Sequence, residues 1–186
     1  MAAGNLTKLL KYHFQEAEPY YIVFFVALAA GSCAGAFTFG CLNDALVREA
    51  AVIFSNYSTM IKRGFNRNDI IYEALKGNCT FGIILYVCSF TPAAVAAGAF
   101  LLAVKGFCIG FMVAGFLKCF SIGAAALMVL KSLPCQFFTV TSLLLMSGCG
   151  VMYCRKQRTV LKNTMLFIAA FLISIIGIIC EVLIKC

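Results

Sequence analysis

The sequence is poor in charged residues: they make up 12% of its 186 residues, against about a quarter in an ordinary soluble domain. It contains no tryptophan, three prolines and a single histidine, His13. One histidine makes a His-rich metal site or a Ser-His-Asp triad hard to build. The scarcity of charge argues against a soluble globular domain, and the scarcity of histidine argues against two common kinds of catalytic centre.

Familiar catalytic motifs are also missing. The sequence has no H-E-x-x-H, no G-x-S-x-G and no pair of aspartates within its apolar segments. Its eleven cysteines never occur in C-x-x-C spacing, and most lie in apolar runs, where cysteine behaves as a small hydrophobe. We therefore predict no catalytic residues, no cofactor and no metal site. An intramembrane enzyme that uses one of the cysteines is the alternative in the enzyme class.

The chain is rich in apolar residues. Hydrophobic residues make up 63% of it, and its mean hydropathy is +0.98. A soluble core of this size could not bury so much apolar surface, so lipid must form part of the solvent. The net charge of +8 comes mostly from short segments between apolar runs, which is typical of topology signals and of contact with anionic headgroups. We therefore predict an all-α integral membrane protein in contact with the lipid bilayer and no nucleic-acid partner.

About five transmembrane helices are predicted, near 20–41, 79–104, 106–120, 135–154 and 165–184. Segment 121–133 is predicted to be a re-entrant or kinked half-helix. Pro92 and Pro134 interrupt apolar runs, and a proline there kinks or breaks a membrane helix. Residues 1–19, with apolar residues at helical spacing, are predicted to form a cytoplasmic amphipathic segment, followed by one polytopic domain at 20–186.

The basic run RKQRTVLK at 155–162 is the strongest topology signal in the chain. If it is cytoplasmic, five spans place the N-terminus and Lys105 inside and residues 42–78 outside the cytoplasm. This polar stretch is either an interfacial helix lying in the headgroups or a surface that binds a protein partner. The residues predicted to contribute to a partner surface are Leu46, Arg48, Ile53, Tyr57, Lys62, Arg63 and Arg67.

Two glycine patterns predict close helix packing. Gly31 and Gly35 form a G-x-x-x-G, and a second glycine-rich run contains Gly106, Gly110 and Gly115. Such faces pack against a helix of the same chain, against a second copy or against a single-pass partner helix. Packing within the monomer is favoured, and homo-oligomerisation stays open.

A polar cluster interrupts the apolar run around Pro134, where Lys131 and Gln136 flank the proline. An intramembrane charge is costly and by default indicates function. The cluster predicts either a plain helix kink or the midplane site of a small transporter or channel.

Residues 106–138, GFCIGFMVAGFLKCFSIGAAALMVLKSLPCQFF, resemble the core of the stage II sporulation protein M family. The resemblance rests on a G-F-x-x-G-F run followed by a hinge and a leucine-proline with a polar residue close behind. In this sequence these are Gly106, Phe107, Gly110, Phe111, Leu133, Pro134 and Gln136. The first span rich in glycine and alanine, the polar loop, Asn78 at the start of the second span and the basic stretch before the last helix extend it over roughly 20–184.

The resemblance implies a role in endospore formation. Members of this family act in engulfment as a membrane scaffold for stage II sporulation proteins D and P, which degrade peptidoglycan. On that basis the chain is expected to be a non-enzymatic component of the cell membrane, in the mother-cell or septal membrane during sporulation, and to localise the two hydrolases.

Overall fold

A computed structural model describes the backbone of residues 2–63, 67–91, 93–154 and 160–185. It describes the side chains of residues 17–55, 72, 75–91, 93–127, 129–130, 132–154 and 164–180. Within these ranges every regular element is an α-helix. In chain order the helices are α1 (Ala2–Gly40), α2 (Asp44–Arg63), α3 (Arg67–Cys88), α4 (Ala94–Cys119), α5 (Ile122–Cys154) and α6 (Val160–Lys185).

Three helical segments are long and apolar enough to cross a membrane: Ala17–Gly40, Ala94–Cys119 and Ser132–Cys154. Two shorter apolar helical segments are Leu75–Cys88 and Thr164–Cys180. Roughly 20 apolar residues are needed to cross 30 Å of hydrocarbon, so the first three suffice by length. The predicted class, an all-helical membrane protein, is confirmed at this level.

The second apolar run is interrupted between Cys88 and Ala94, around sequence position 92 where a proline was expected to kink or break the helix, and not at Lys105. α3 ends at Cys88, residues 89–91 form a turn, and α4 begins at Ala94. Sequence position 92 is a proline, which has no backbone N–H to donate and which disfavours helical geometry in the residue before it. The helix therefore stops in this region.

The boundary predicted at Lys105 is wrong, because 79–104 and 106–120 are not separate helices. α4 continues through Lys105 and Gly106 without interruption. A lysine followed by glycine resembles a helix C-terminus in sequence. Here the glycine instead lies against the backbone of α1, so the helix has a packing reason to continue.

α5 is also continuous where a re-entrant half-helix was predicted at 121–133. Its 33 residues pass through Pro134, which makes the helix about 50 Å long at 1.5 Å per residue. Nearby hydroxyl groups bond to carbonyls of the same helix. Ser132 Oγ donates to the Val129 carbonyl at 3.0 Å, and Thr139 Oγ1 donates to the Cys135 carbonyl at 2.9 Å. Neither bond reaches the Leu130 carbonyl, which loses its helical partner because Pro134 has no N–H.

At the N-terminal end, α1 continues through Pro19, so the predicted segment 1–19 and the first span at 20–41 belong to one helix. The polar region 42–78 is not an irregular loop. It consists of α2 and the first half of α3.

α1 and α4 run parallel, although they are far apart in sequence. Phe24 lies opposite Gly98 near one end, and Gly35 lies opposite Phe107 further along both helices. The two helices make the most extensive contact among the described elements.

Contacts between the other helices fix their directions. Ser147 of α5 lies against Gly98 near the start of α4, so α5 runs antiparallel to α4. Tyr86, at the end of α3, meets Thr164 near the start of α6. The first turn of α4 and the end of α5 therefore lie at one end of the bundle, and α2 lies at the opposite end.

Glycines bring the backbones of α1 and α4 into direct contact. A Cβ atom at Gly31 would overlap the Ala103 carbonyl, and one at Gly35 would overlap the Phe107 carbonyl. From the other side, Gly106 faces the Leu28 carbonyl and Gly110 faces the Ser32 carbonyl. We call this contact the α1–α4 seam. It lies within one chain, so these glycine faces are covered and are not open for a partner helix.

Candidate functional site

The end of the bundle beside α2 contains an aromatic contact that fixes this helix in place. The Phe54 ring fills the space above Gly115 of α4, where an added Cβ would lie 2.7 Å from Phe54 Cζ. Its ring centroid lies 5.1 Å from that of Phe116 and 6.3 Å from that of Phe39. The glycine of α4 thus creates the gap, and α2 supplies the side chain that fills it.

α2 starts with a local signal that its sequence explains. Asn43 Oδ1 accepts a hydrogen bond from the Leu46 amide at 3.0 Å, and Asp44 stands in the first turn. An asparagine cap satisfies one unpaired amide, and an acidic first turn suits the positive end of the helix dipole. This start is compatible with the orientation in which Phe54 faces the bundle.

The opposite face of α2 is uncovered and mixes apolar with charged side chains. Leu46 is 47% exposed and Ile53 is 67% exposed, and Arg48 is also exposed. Three of the residues predicted for partner binding are therefore accessible. Leu46 and Ile53, seven residues apart, lie on the same side of the helix, and Arg48 lies on the other side of the exposed surface. The side chains of the other four, Tyr57, Lys62, Arg63 and Arg67, lie outside those the structure describes.

A second polar feature lies inside the bundle. Gln136 is half-buried, and its Oε1 atom is buried without a hydrogen-bond partner among the described residues. Pro134 is half-buried in the preceding half-turn, while the side chain of Lys131 is not among those described. Of the three residues of the predicted polar cluster, the structure thus describes the side chains of Pro134 and Gln136.

Lys105 is the charged residue that the sequence analysis misplaced. It lies near the middle of α4, roughly 15–20 Å from either end, and it is half-buried. Among the described residues no acidic side chain pairs with it. An intramembrane charge is expensive enough to suggest function. The signal was present in the sequence, because 94–119 is apolar on both sides of Lys105, but the predicted boundary concealed it.

The buried serine hydroxyl groups of α5 differ in whether they form a hydrogen bond. Ser142 Oγ donates to the Ala170 carbonyl of α6 at 2.8 Å, which links two helices. Ser147 Oγ, against Gly98, is buried without a partner among the described residues. The α5–α6 contact thus includes a hydrogen bond between helices, and the α4–α5 contact at Ser147 is steric.

Within the described part of the chain, no group of three or more histidine, cysteine, aspartate or glutamate residues is arranged to hold a metal ion. The ten described cysteines are free thiols. The side chain of His13 lies outside the described residues.

No protein-family model, curated protein sequence or solved structure matches this chain significantly.

Proposed function

We propose that this chain is a non-enzymatic membrane scaffold of the sporulation engulfment machinery, which recruits and localises stage II sporulation proteins D and P. The resemblance of residues 106–138 to the stage II sporulation protein M family motivates the proposal. The observation that supports it best is α2, a helix held against the bundle by Phe54 that presents Leu46, Arg48 and Ile53 outward. A scaffold needs such a fixed, accessible face rather than a catalytic centre.

The proposal includes five membrane crossings and an orientation. The alternating directions of α1, α3, α4, α5 and α6 are compatible with five crossings. The basic run at 155–162 would lie on the cytoplasmic side, together with the start of α1. α2 would then lie outside the cytoplasm, on the side where peptidoglycan is degraded, and the protein would reside in the mother-cell or septal membrane.

Affinity purification from sporulating membranes in mild detergent tests the scaffold. The tagged chain is expected to recover both hydrolases. Combined replacement of Leu46, Arg48 and Ile53 by alanine should lower that recovery about tenfold or more, since a few anchors dominate most interfaces.

The matched control replaces three exposed side chains of α6, Ile168, Leu172 and Ile176, by alanine and should leave recovery unchanged. Equal recovery of both hydrolases by the α2 variant and the unmodified chain, at equal membrane insertion, would reject α2 as the docking surface. Failure to recover either hydrolase with the unmodified chain would reject the scaffold.

The second candidate is a small transporter or channel with a polar midplane site around Lys131, Pro134 and Gln136. Gln136 Oε1, which is buried and has no hydrogen-bond partner among the described residues, favours it, and Lys105 adds a mid-membrane charge that would attract anions. Chloride and phosphate efflux from proteoliposomes is the measurement. Efflux that Lys131→Ala or Lys105→Met abolishes would support this candidate, and efflux no faster than from protein-free vesicles would reject it.

A further inference from the structure

The outer surface between α1 and α5 contains an open groove of about 680 Å³. Its walls include Tyr21 and Phe25 from α1 and Phe137 and Leu144 from α5. The groove is lined neither by the glycines of the α1–α4 seam nor by residues of α2. It is therefore independent of the scaffold surface proposed above.

The groove is apolar along its length and carries a carboxylate at one end. The hydroxyl groups in its wall belong to Tyr21 and Thr141, and Thr141 Oγ1 already donates to the Phe137 carbonyl at 2.8 Å. Glu18 is exposed, and no described residue pairs with its carboxylate. A ligand that fits must combine a long apolar part with a cationic or hydrogen-bond-donating head.

The position of the groove relative to the membrane predicts how this ligand is oriented. In sequence, Glu18 directly precedes the uncharged run that begins at Pro19 and Tyr20. A spanning helix would leave the hydrocarbon for the headgroups at this point. Phe137 and Thr141 lie further inside, in the apolar segment Ser132–Cys154 of α5. The groove thus leads from the headgroup boundary into the hydrocarbon, with its charge at the boundary.

We propose that this groove binds one acyl chain of an aminophospholipid, the phosphatidylethanolamine class, with the ammonium group beside Glu18. A lipid with a net negative headgroup would be repelled by the carboxylate. A transmembrane helix fits poorly, because close helix approach needs small residues and the walls of the groove contain no glycine, alanine or serine. An acyl chain adapts to such a surface without polar partners.

Headgroup choice is tested by native mass spectrometry of the full chain, with dioleoyl phosphatidylethanolamine, phosphatidylcholine and phosphatidylglycerol added in equal amounts. The ethanolamine lipid should bind about two- to fivefold more than the anionic glycerol lipid, the range expected for an exposed charge pair. It should also bind more than the choline lipid, whose trimethylammonium group has no N–H to donate to Glu18. Glu18→Gln should remove this preference, and Glu18→Lys should shift it to phosphatidylglycerol. The control Glu49→Gln, at the other end of the bundle, should change nothing. Equal binding of the three lipids to the unmodified chain would overturn the headgroup assignment.

Substitutions that fill the groove with a larger side chain test whether a lipid occupies it. Thr141→Phe places a ring inside the groove and should lower the affinity for the ethanolamine lipid about tenfold, as loss of a few buried methylene contacts predicts. Ile22→Trp fills the same groove from an exposed position and gives a second variant if the first fails to fold. Leu172→Phe, on the exposed surface of α6, is the control.

Unchanged lipid binding in both filled variants would overturn the site. If the filled variants lose a dimer rather than a lipid adduct in the mass spectrum, the groove belongs to the contact with a second copy of this chain. That result would also overturn the proposal.

Discussion

Two kinds of helix contact hold this bundle together, and they differ in the substitutions that they tolerate. In the α1–α4 seam, glycines let backbone meet backbone, and no side chain separates Gly35 from the Phe107 carbonyl. Between α2 and the bundle, one side chain, Phe54, fills a gap above Gly115. The first contact has no room for an added atom, because backbone cannot rotate aside. The second contact, at Phe54, is weakened mainly by substitutions that remove side-chain atoms.

The largest expected effect comes from adding a methyl group to the seam. Gly35→Ala should destabilise the protein by about 3 kcal/mol or more, since the new Cβ meets backbone and the helices must separate. Unfolding in detergent, followed by circular dichroism, measures it. Gly123→Ala is the matched control, because nothing lies within 4 Å of its Cβ position. It should be neutral or stabilising by about 1 kcal/mol. Equal stability of the two variants would show that the seam is not tightly packed.

A smaller effect is expected where a side chain fills a gap. Phe54→Ala should cost about 2 kcal/mol, less than a fully buried phenylalanine because the ring is half-buried. The loss should be local: amide hydrogen exchange should rise in α2 and stay slow in α4. Val52→Ala, on the exposed face of the same helix, should change neither. Faster exchange throughout α4 would mean that α2 supports the whole bundle.

The smallest expected effects concern the serines of α5. Ser142→Ala removes the hydrogen bond to the Ala170 carbonyl and should cost about 0.6 kcal/mol, the average for such bonds in membranes. Ser147→Ala removes a buried hydroxyl that has no partner among the described residues, so it should be neutral or slightly stabilising. The comparison of both variants by reversible unfolding tests this difference in sign. A larger loss for Ser147→Ala would indicate a bound water or ligand at that hydroxyl.

Local sequence signals predicted several features that the structure also contains. The shortage of charge and the long apolar runs predicted a helical membrane protein. The G-x-x-x-G spacing at Gly31 and Gly35 predicted close packing, since small residues at that interval share one helix face. The start of α2 at Asn43 and Asp44 follows the ordinary capping rules, although the sequence analysis did not single it out.

Features that depend on distant contacts were beyond sequence reasoning. Whether a glycine ends a helix or receives a neighbouring backbone depends on that neighbour, so Gly106 was misread as the start of a new span. The pairing of Phe54 with Gly115 joins residues with no sequence relation. The groove beside Glu18 exists only because α1 and α5 approach each other from opposite ends of the chain.

The parallel arrangement of α1 and α4 has a consequence for biosynthesis. Parallel neighbours cannot form as a hairpin, and here α2 and α3 must be made before α4 is available. At about 5–20 residues per second, α1 waits several seconds in the membrane after its own synthesis. During this interval the face of Gly31 and Gly35 has no partner from its own chain. Insertion of this protein therefore passes through a stage in which its most closely packed surface is open to other nascent helices.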